Sequence, residues 1–308
     1  MDGEVILMDL ERIETEQRNS HTMDIDRVST LEIVEKINVE DHKVADAIAL
    51  QLNQIAEVID ECSARMKKGG RLIYMGAGTS GRIGVLDASE CPPTYGVSSD
   101  LVVGLIAGGY QAMFRSQEGA EDDEHLGEED LKALELNEND TVVGLAASGR
   151  TPYVVGGLRY ANEIGAYSAS VSCVTHAVIS QYASTPIEVI TGPEAITGST
   201  RMKAGTAEKM ICNMISTGCM IRYGKVYENL MVDVQPTNEK LVQRAVGIIA
   251  KCVHCDHQQA KTLLEESHND VKIAVIMGVG KIGYQEAKNL LSHNGGNVHE
   301  AINEANKL

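Results

Sequence analysis

Two turns rich in glycine and hydroxyl residues carry the chemistry most readily read from this chain. The first, Gly76-Ala-Gly-Thr-Ser-Gly81, ends an apolar run from Leu72 and precedes a helical pattern over Ile83–Glu90. The second, Ala147-Ser-Gly-Arg-Thr151, ends the apolar run Thr141–Ala146 and puts Pro152 where a helix would begin. Glycines let the backbone approach a ligand, and a helix N-terminus offers N–H groups and the positive end of a dipole, so the natural guest of each turn is a phosphate. Gly78, Thr79 and Ser80 in the first turn, with Ser148, Gly149 and Thr151 in the second, are the candidate ligand-binding residues, the hydroxyls donating and the backbone completing the shell. The bland alternative is that small residues merely make tight strand-to-helix turns; the repetition of one composition weighs against it.

The first turn also satisfies the G-x-G-x-x-G fingerprint of dinucleotide sites. Such a site needs an acidic residue about 20 positions on, at the end of the next strand. Here the next strand, Leu101–Gly109, ends in glycines, and Asp87 comes too early. The fingerprint lacks its confirming partner, which leaves a phosphate ligand without a nicotinamide cofactor.

Carboxylates and cations stand near these turns. Glu90 precedes Cys91-Pro92-Pro93. Prolines are expected to end the helix there, where carbonyl dipoles disfavour a negative carboxylate and suit Glu90 to donating a proton. A capping or surface role is the ordinary alternative. Arg201 and Lys203, in Gly198-Ser-Thr-Arg-Met-Lys203, could bring positive charge to an anionic ligand, or could serve salt bridging or helix packing. His21 is read as structural.

The elements that must position these residues alternate. Apolar strands near 71–76, 101–107, 141–146, 167–172 and 186–190 are separated by helix-length segments, the pattern of a parallel sheet covered on both faces. Right-handed crossovers would bring the two glycine turns together at the carboxyl edge of that sheet. A polar N-terminal arm (residues 1–40) comes first, and a long helix is expected over Val44–Ile59. Residues 41–232 form the α/β domain, and 233–308 a helical subdomain with helices over Asn238–Ile249, Asp256–Ser267 and Tyr284–Ser292.

At 308 residues and 43% hydrophobic, with no Trp and one Phe, the chain can bury a sizeable aliphatic core. A net charge of -17 argues against nucleic-acid or membrane-surface partners. No apolar run reaches a membrane span, and the polar start Met1–Glu4 is unlike a signal peptide, so a cytoplasmic location is expected. Seven scattered cysteines suit a reducing compartment. Cys252-Val-His-Cys-Asp-His257 is the one cluster that suggests metal, but a single C-x-x-C without a second pair is read as helix residues, and no metal is expected.

The pair Gly76–Gly81 and Ala147–Thr151 resembles the sugar isomerase (SIS) domain. Leu86-Asp-Ala-Ser-Glu-Cys-Pro-Pro-Thr-Tyr-Gly96 narrows the resemblance to the N-acetylmuramic acid 6-phosphate etherase family, and Glu118–Asp122, Gly192–Lys203, Glu228–Asp233 and Thr30–Val34 match it too. The resemblance spans nearly the whole chain. It implies a three-layer SIS-type α/β fold. The tail from Met277 to Ile302 resembles a ubiquitin-associated (UBA-like) three-helix module and is read as a packing unit. The etherase resemblance further implies a lyase that cleaves the D-lactyl ether of the sugar phosphate by elimination and water addition, without cofactor and as a homodimer; in SIS proteins such sites often involve two subunits. By the same resemblance Glu90 and Glu121 are the catalytic pair, Glu90 protonating the leaving lactate and Glu121 removing the C2 proton. For Glu121, a solvated acidic face shared with Glu118, Asp122, Asp123 and Glu124 is the competing reading. A sugar-phosphate-binding regulator and a sugar-phosphate isomerase stay open as alternatives.

Overall fold

A computed structural model describes residues 14–236 and 238–307. The first thirteen residues of the expected N-terminal arm, with the polar start Met1–Glu4, lie outside the described residues. Five strands, β1 (Leu72–Gly76), β2 (Val102–Ile106), β3 (Thr141–Leu145), β4 (Tyr167–Ser172) and β5 (Thr185–Glu188), pair in the order β2-β1-β3-β4-β5, all parallel. Each falls within a few residues of an apolar strand expected from the sequence. β1, β3 and β4 are buried at every position, which is why they read as continuous apolar or small-residue runs and do not alternate.

The helices are α1 (Thr30–Asp41), α2 (Lys43–Ala49), α3 (Leu52–Met66), α4 (Gly78–Tyr95), α5 (Glu124–Ala133), α6 (Pro152–Ile164) and α7 (Lys203–Arg222). Successive strand residues point to opposite faces. Ile73 and Met75 pack in one core cluster with Leu131 of α5 and Leu158 of α6. Tyr74 points the other way, its hydroxyl donating to the Cys212 carbonyl of α7 at 3.0 Å. Both faces of the sheet are therefore covered, as a three-layer α/β fold requires. The strand order reverses direction between β1 and β3, so the ligand crevice of such a sheet opens at the carboxyl ends of those two strands.

Two helices depart from expectation. The pattern over Val44–Ile59 is split at Leu50–Gln51 into α2 and α3; the Leu50 N–H bonds back to Ala47 O in a tightened last turn, and Leu50 points to solvent. More consequential for the site, α4 begins at Gly78, five residues before the expected start, and passes through Pro92 and Pro93 to Tyr95. The prolines cannot donate to the preceding turn, yet the helix closes only at Gly96, φ +63°, whose N–H reaches Pro92 O at 2.9 Å. Glu90 thus sits more than a turn before the helix end, beyond the last-turn reach of the dipole effect expected for it.

The chain divides into two compact units, Met1–Ser89 with Ser99–Ser216 and Glu90–Ser98 with Thr217–Leu308. The first contains the sheet. The second contains α8 (Glu239–Val253), α9 (His257–Glu266), α10 (Val271–Gly280), α11 (Tyr284–His293) and α12 (Val298–Ala305) around an aliphatic core that includes Ile249, Val275 and Ala301. α10 is apolar nearly all round, so it has no amphipathic stripe by which periodicity could single it out. Cys252 packs into this core from α8, His254 ends that helix at φ +56°, and Asp256 caps α9 by accepting from Gln259 N at 2.8 Å. The Cys252–His257 cluster is a helix-to-helix junction. Among the described residues, no helix is long and apolar enough to cross a membrane.

Candidate active site

The carboxyl ends of β1 and β3 lie side by side, Gly76 opposite Leu145. Because α4 starts at Gly78, the residues Gly78, Thr79 and Ser80 form its first turn, whose N–H groups have no partner within an α-helix. The close approach requires glycine. A Cβ on Gly76 would lie 2.8 Å from Leu145 O, and one on Gly81 would lie 2.5 Å from Gly76 O. Gly78 lines a cleft of about 210 Å³ together with Arg82, Gln117, Glu118 and Glu121. Glu121 stands exposed on a short 3-10 turn, Ala120–Asp122, in the segment after β2. One catalytic candidate and the first phosphate turn therefore share a cleft.

The second turn opens at the end of β3. Ser148 lines a separate cleft of about 330 Å³ with Glu14, Arg150, Thr175 and His176. Gly149 adopts φ +72°, and a Cβ there would come within 2.6 Å of the Ala177 Cβ. Thr151 precedes Pro152 at the first position of α6, and the Thr151 side chain makes no cap hydrogen bond. Glu14 Oε1 accepts from Thr175 Oγ1 at 2.6 Å at this cleft. The two turns share one sheet edge but line two clefts.

The remaining candidates are placed differently. Glu90 is exposed on α4 and does not line the Glu121 cleft. Arg201 is exposed on the turn before α7. Lys203 is buried, its Nζ donating to Glu40 Oε2 at 2.6 Å, so its charge is met by a carboxylate of α1. Burial works against the Glu40 charge, but hydrogen bonds from Lys203, Lys43 and Asn19 outweigh it and hold the carboxyl down to about 2. His21 Nδ1 lies 3.3 Å from the same carboxyl.

Four functional groups escaped sequence reasoning. Arg82 lines the Glu121 cleft, held by donation from Nε to Met113 O and from Nη2 to Ala112 O at 3.0 and 2.6 Å. Glu194 accepts from the backbone N–H groups of Lys203 and Ala204 at 3.0 and 2.9 Å, capping α7. Glu40 anchors Lys203. Glu208 is fully buried on α7, and its Oε1 lies 2.8 Å from the Ser80 hydroxyl. Its signal was present: Ala204, Glu208, Ile211 and Ile215 fall on one helical stripe, and an acid on an apolar stripe needs an explanation.

Residues 54–162 match the glucokinase regulatory protein N-terminal SIS domain, and residues 228–276 match the C-terminal lid domain of glucokinase regulatory protein. The chain is 56% identical over 293 residues to an N-acetylmuramic acid 6-phosphate etherase of Clostridium botulinum, covering 95% of this chain and 97% of that protein. It is 50% identical over 304 residues to N-acetylmuramic acid 6-phosphate etherase 2 of Vibrio cholerae, covering 99% of each. Among solved structures, a phosphoheptose isomerase from Francisella tularensis superposes with a TM-score of 0.44 at 13% identity, covering 63% of this chain and 98% of that one. With identity of this level across nearly its whole length, the chain belongs to the N-acetylmuramic acid 6-phosphate etherase family.

Proposed function

We propose that this protein cleaves the D-lactyl ether of N-acetylmuramic acid 6-phosphate, giving N-acetylglucosamine 6-phosphate and D-lactate. The observation that carries the reading is the 56% identity, over 95% of the chain, to an etherase of that name. The chemistry turns on the acidity of the C2 proton, which in the ring-opened sugar lies next to the C1 aldehyde. Glu121 removes that proton, the C3–O bond breaks, and Glu90 protonates the departing lactate oxygen. Water then adds at C3 of the unsaturated aldehyde, and a proton returns to C2. These are proton transfers between positioned carboxyls and need no hydride carrier.

Ser80, Thr79 and the first-turn N–H groups of α4 hold the 6-phosphate, with Ser148, Gly149 and Thr151 on the neighbouring turn. Arg82, in the same cleft as Glu121, supplies positive charge at the reacting end. Arg201 extends this charge from its exposed turn. Lys203, bound to Glu40, contributes by fixing that turn. The protein acts as a cytoplasmic homodimer. The abundance of unbridged cysteines, six of the seven buried, fits a reducing compartment.

Glu90→Gln and Glu121→Gln test the pair, since each keeps the side-chain shape and loses the ability to cycle a proton. Each should lower lactate release by about 10²-fold or more. In deuterated water the Glu121 variant should also fail to exchange the C2 hydrogen, whereas the Glu90 variant should retain exchange while releasing little lactate. Near-normal lactate release by both variants would refute the assignment, and reversed exchange behaviour would swap the two roles.

A further inference from the structure

The Ser80–Glu208 pair does not balance if Ser80 is the donor. Glu208 is fully buried; its Oε1 lies 2.8 Å from Ser80 Oγ, and its Oε2 has no hydrogen-bond partner among the described residues. Among the described residues, its titratable surroundings offer no cation. Cys173, just past β4, and Cys212, on α7, are thiols that burial pushes up, so both are neutral. Asp87 of α4 accepts from Asn213 at 2.6 Å, and Glu194 is taken up with the backbone at the start of α7. Lys203, on the same helix as Glu208, is held by Glu40. An ionised Glu208 would be a buried charge with nothing to compensate it, and burial accordingly pushes this carboxyl up to about 8.

At neutral pH Glu208 is therefore a carboxylic acid, with one O–H that needs an acceptor. If Ser80 donates to it, that O–H sits on Oε2 and is left buried without a partner. If the acid O–H sits on Oε1 and donates to Ser80 Oγ, the buried acid proton is satisfied, a carbonyl oxygen is left unpaired at the smaller cost, and the hydrogen still without an acceptor is that of Ser80, in the first turn of α4. We propose that Glu208 is a positioning residue that donates its carboxyl O–H to Ser80 Oγ and so frees the Ser80 hydroxyl hydrogen for a phosphate oxygen of the sugar. The proposal rests on the reading of the Gly76–Gly81 turn as the phosphate site.

One consequence separates this relay from a merely structural contact. As pH rises through about 8, Glu208 loses its proton, Ser80 must donate inward to the carboxylate, and the phosphate turn loses a hydroxyl donor while gaining a negative charge beneath it. Phosphate affinity should therefore fall across that range. The sugar phosphate itself completes its second ionisation near pH 6 and adds no step there. Glu208→Gln keeps the shape and presents an amide N–H to Ser80 at every pH.

Calorimetric titration of the intact protein with N-acetylglucosamine 6-phosphate from pH 7 to 9.5 tests this. The wild type should lose about tenfold or more in affinity, the usual scale for one charge-assisted hydrogen bond. Glu208→Gln should match the wild type at pH 7 and stay flat, and Ser80→Ala should be weaker at pH 7 and fall less than the wild type, because the hydroxyl is gone and only the charge of Glu208 remains. A wild-type slope that persists in Glu208→Gln, or in Ser80→Ala should the first variant fail to fold, overturns the proposal. So does a Glu208→Gln variant that folds but is as weak at pH 7 as Ser80→Ala, because the amide can replace the donor. No binding by the wild type at pH 7 would instead remove the phosphate-site reading, and this inference with it.

Discussion

Replacing Lys203 by Met should separate a structural ammonium from one that holds ligand. Lys203 and Glu40 are 2% and 1% exposed, with the ammonium 2.6 Å from the carboxylate. Burial alone would raise the Glu40 carboxyl; its hydrogen bonds, that from Lys203 foremost, bring it down instead, from 4.5 to about 2. A folded-state value below the unfolded one means that the carboxylate stabilises the fold fully above about pH 4.5, and that this contribution is lost as pH falls towards 2. The difference amounts to about 3 kcal/mol at neutral pH. Lys203→Met leaves Glu40 buried without its closest ammonium, beside Lys43, His21 and Asn19, so it should cost about 3–5 kcal/mol in urea unfolding at pH 7. Glu40→Gln should flatten the acid dependence of stability between pH 4.5 and 2. In Lys203→Met/Glu40→Gln both charges leave together, so much of the loss should be recovered, and KM for the sugar phosphate should recover with it. A Lys203→Met cost below about 1 kcal/mol, or a double variant no more stable than Lys203→Met, would refute the buried-pair reasoning. A double variant that regains stability but keeps a high KM would show that the ammonium also touches substrate.

Gly149→Ala imposes a Cβ on φ +72° and drives it to 2.6 Å from Ala177 Cβ and 2.7 Å from Val174 Cγ2; a loss of about 1–3 kcal/mol in thermal unfolding is expected, with a raised KM because Ser148 moves with the turn, and an unchanged midpoint would argue that the turn is loose. Asp140 is fully buried before β3 and accepts from Arg71 Nε at 3.1 Å and Nη2 at 2.7 Å, as well as from Arg71 and Asn137 backbone N–H. Asp140→Ala should cost about 3–5 kcal/mol by urea unfolding, and a cost under 1 kcal/mol would show that water replaces the carboxylate there.

What could be read in advance follows from how each element declares itself. The strands announced themselves because β1 and β3 are buried on both faces and run apolar without interruption, and their spacing left room for nothing but crossover helices. The two strand-to-helix turns were legible because glycine and hydroxyl residues cluster at the ends of β1 and β3. Helix boundaries were less legible. The helical pattern begins at Ile83 in the sequence, whereas α4 starts at Gly78, a poor helix former, where the backbones of Gly76 and Gly81 approach too closely for a side chain. The sequence treats the prolines as a stop, yet α4 carries both at the cost of their two donor bonds and ends at Tyr95.

Among the buried carboxyls, Glu40, Glu194 and Glu208 were the hardest to see. A glutamate in a helix is by default a solvated residue, and its partners here are far away in sequence: Glu40 meets Lys203 across 163 positions, and Glu208 meets Ser80 across 128. Glu194, nine positions from its first partner, bonds backbone N–H groups that no residue type advertises. Local pattern therefore exposed the candidate ligand groups and concealed the buried groups packed behind them. The ionisation of the concealed groups then follows from what they meet. Glu40 finds two ammonium groups and stays charged, Glu194 finds two amides against the pull of burial, and Glu208 finds one hydroxyl and is pushed towards the neutral acid. Of the three, only Glu208 combines a proton to give with a direct contact to the candidate phosphate turn, so on the proposed relay the pH sensitivity of phosphate binding above neutrality would belong to a residue that touches no ligand.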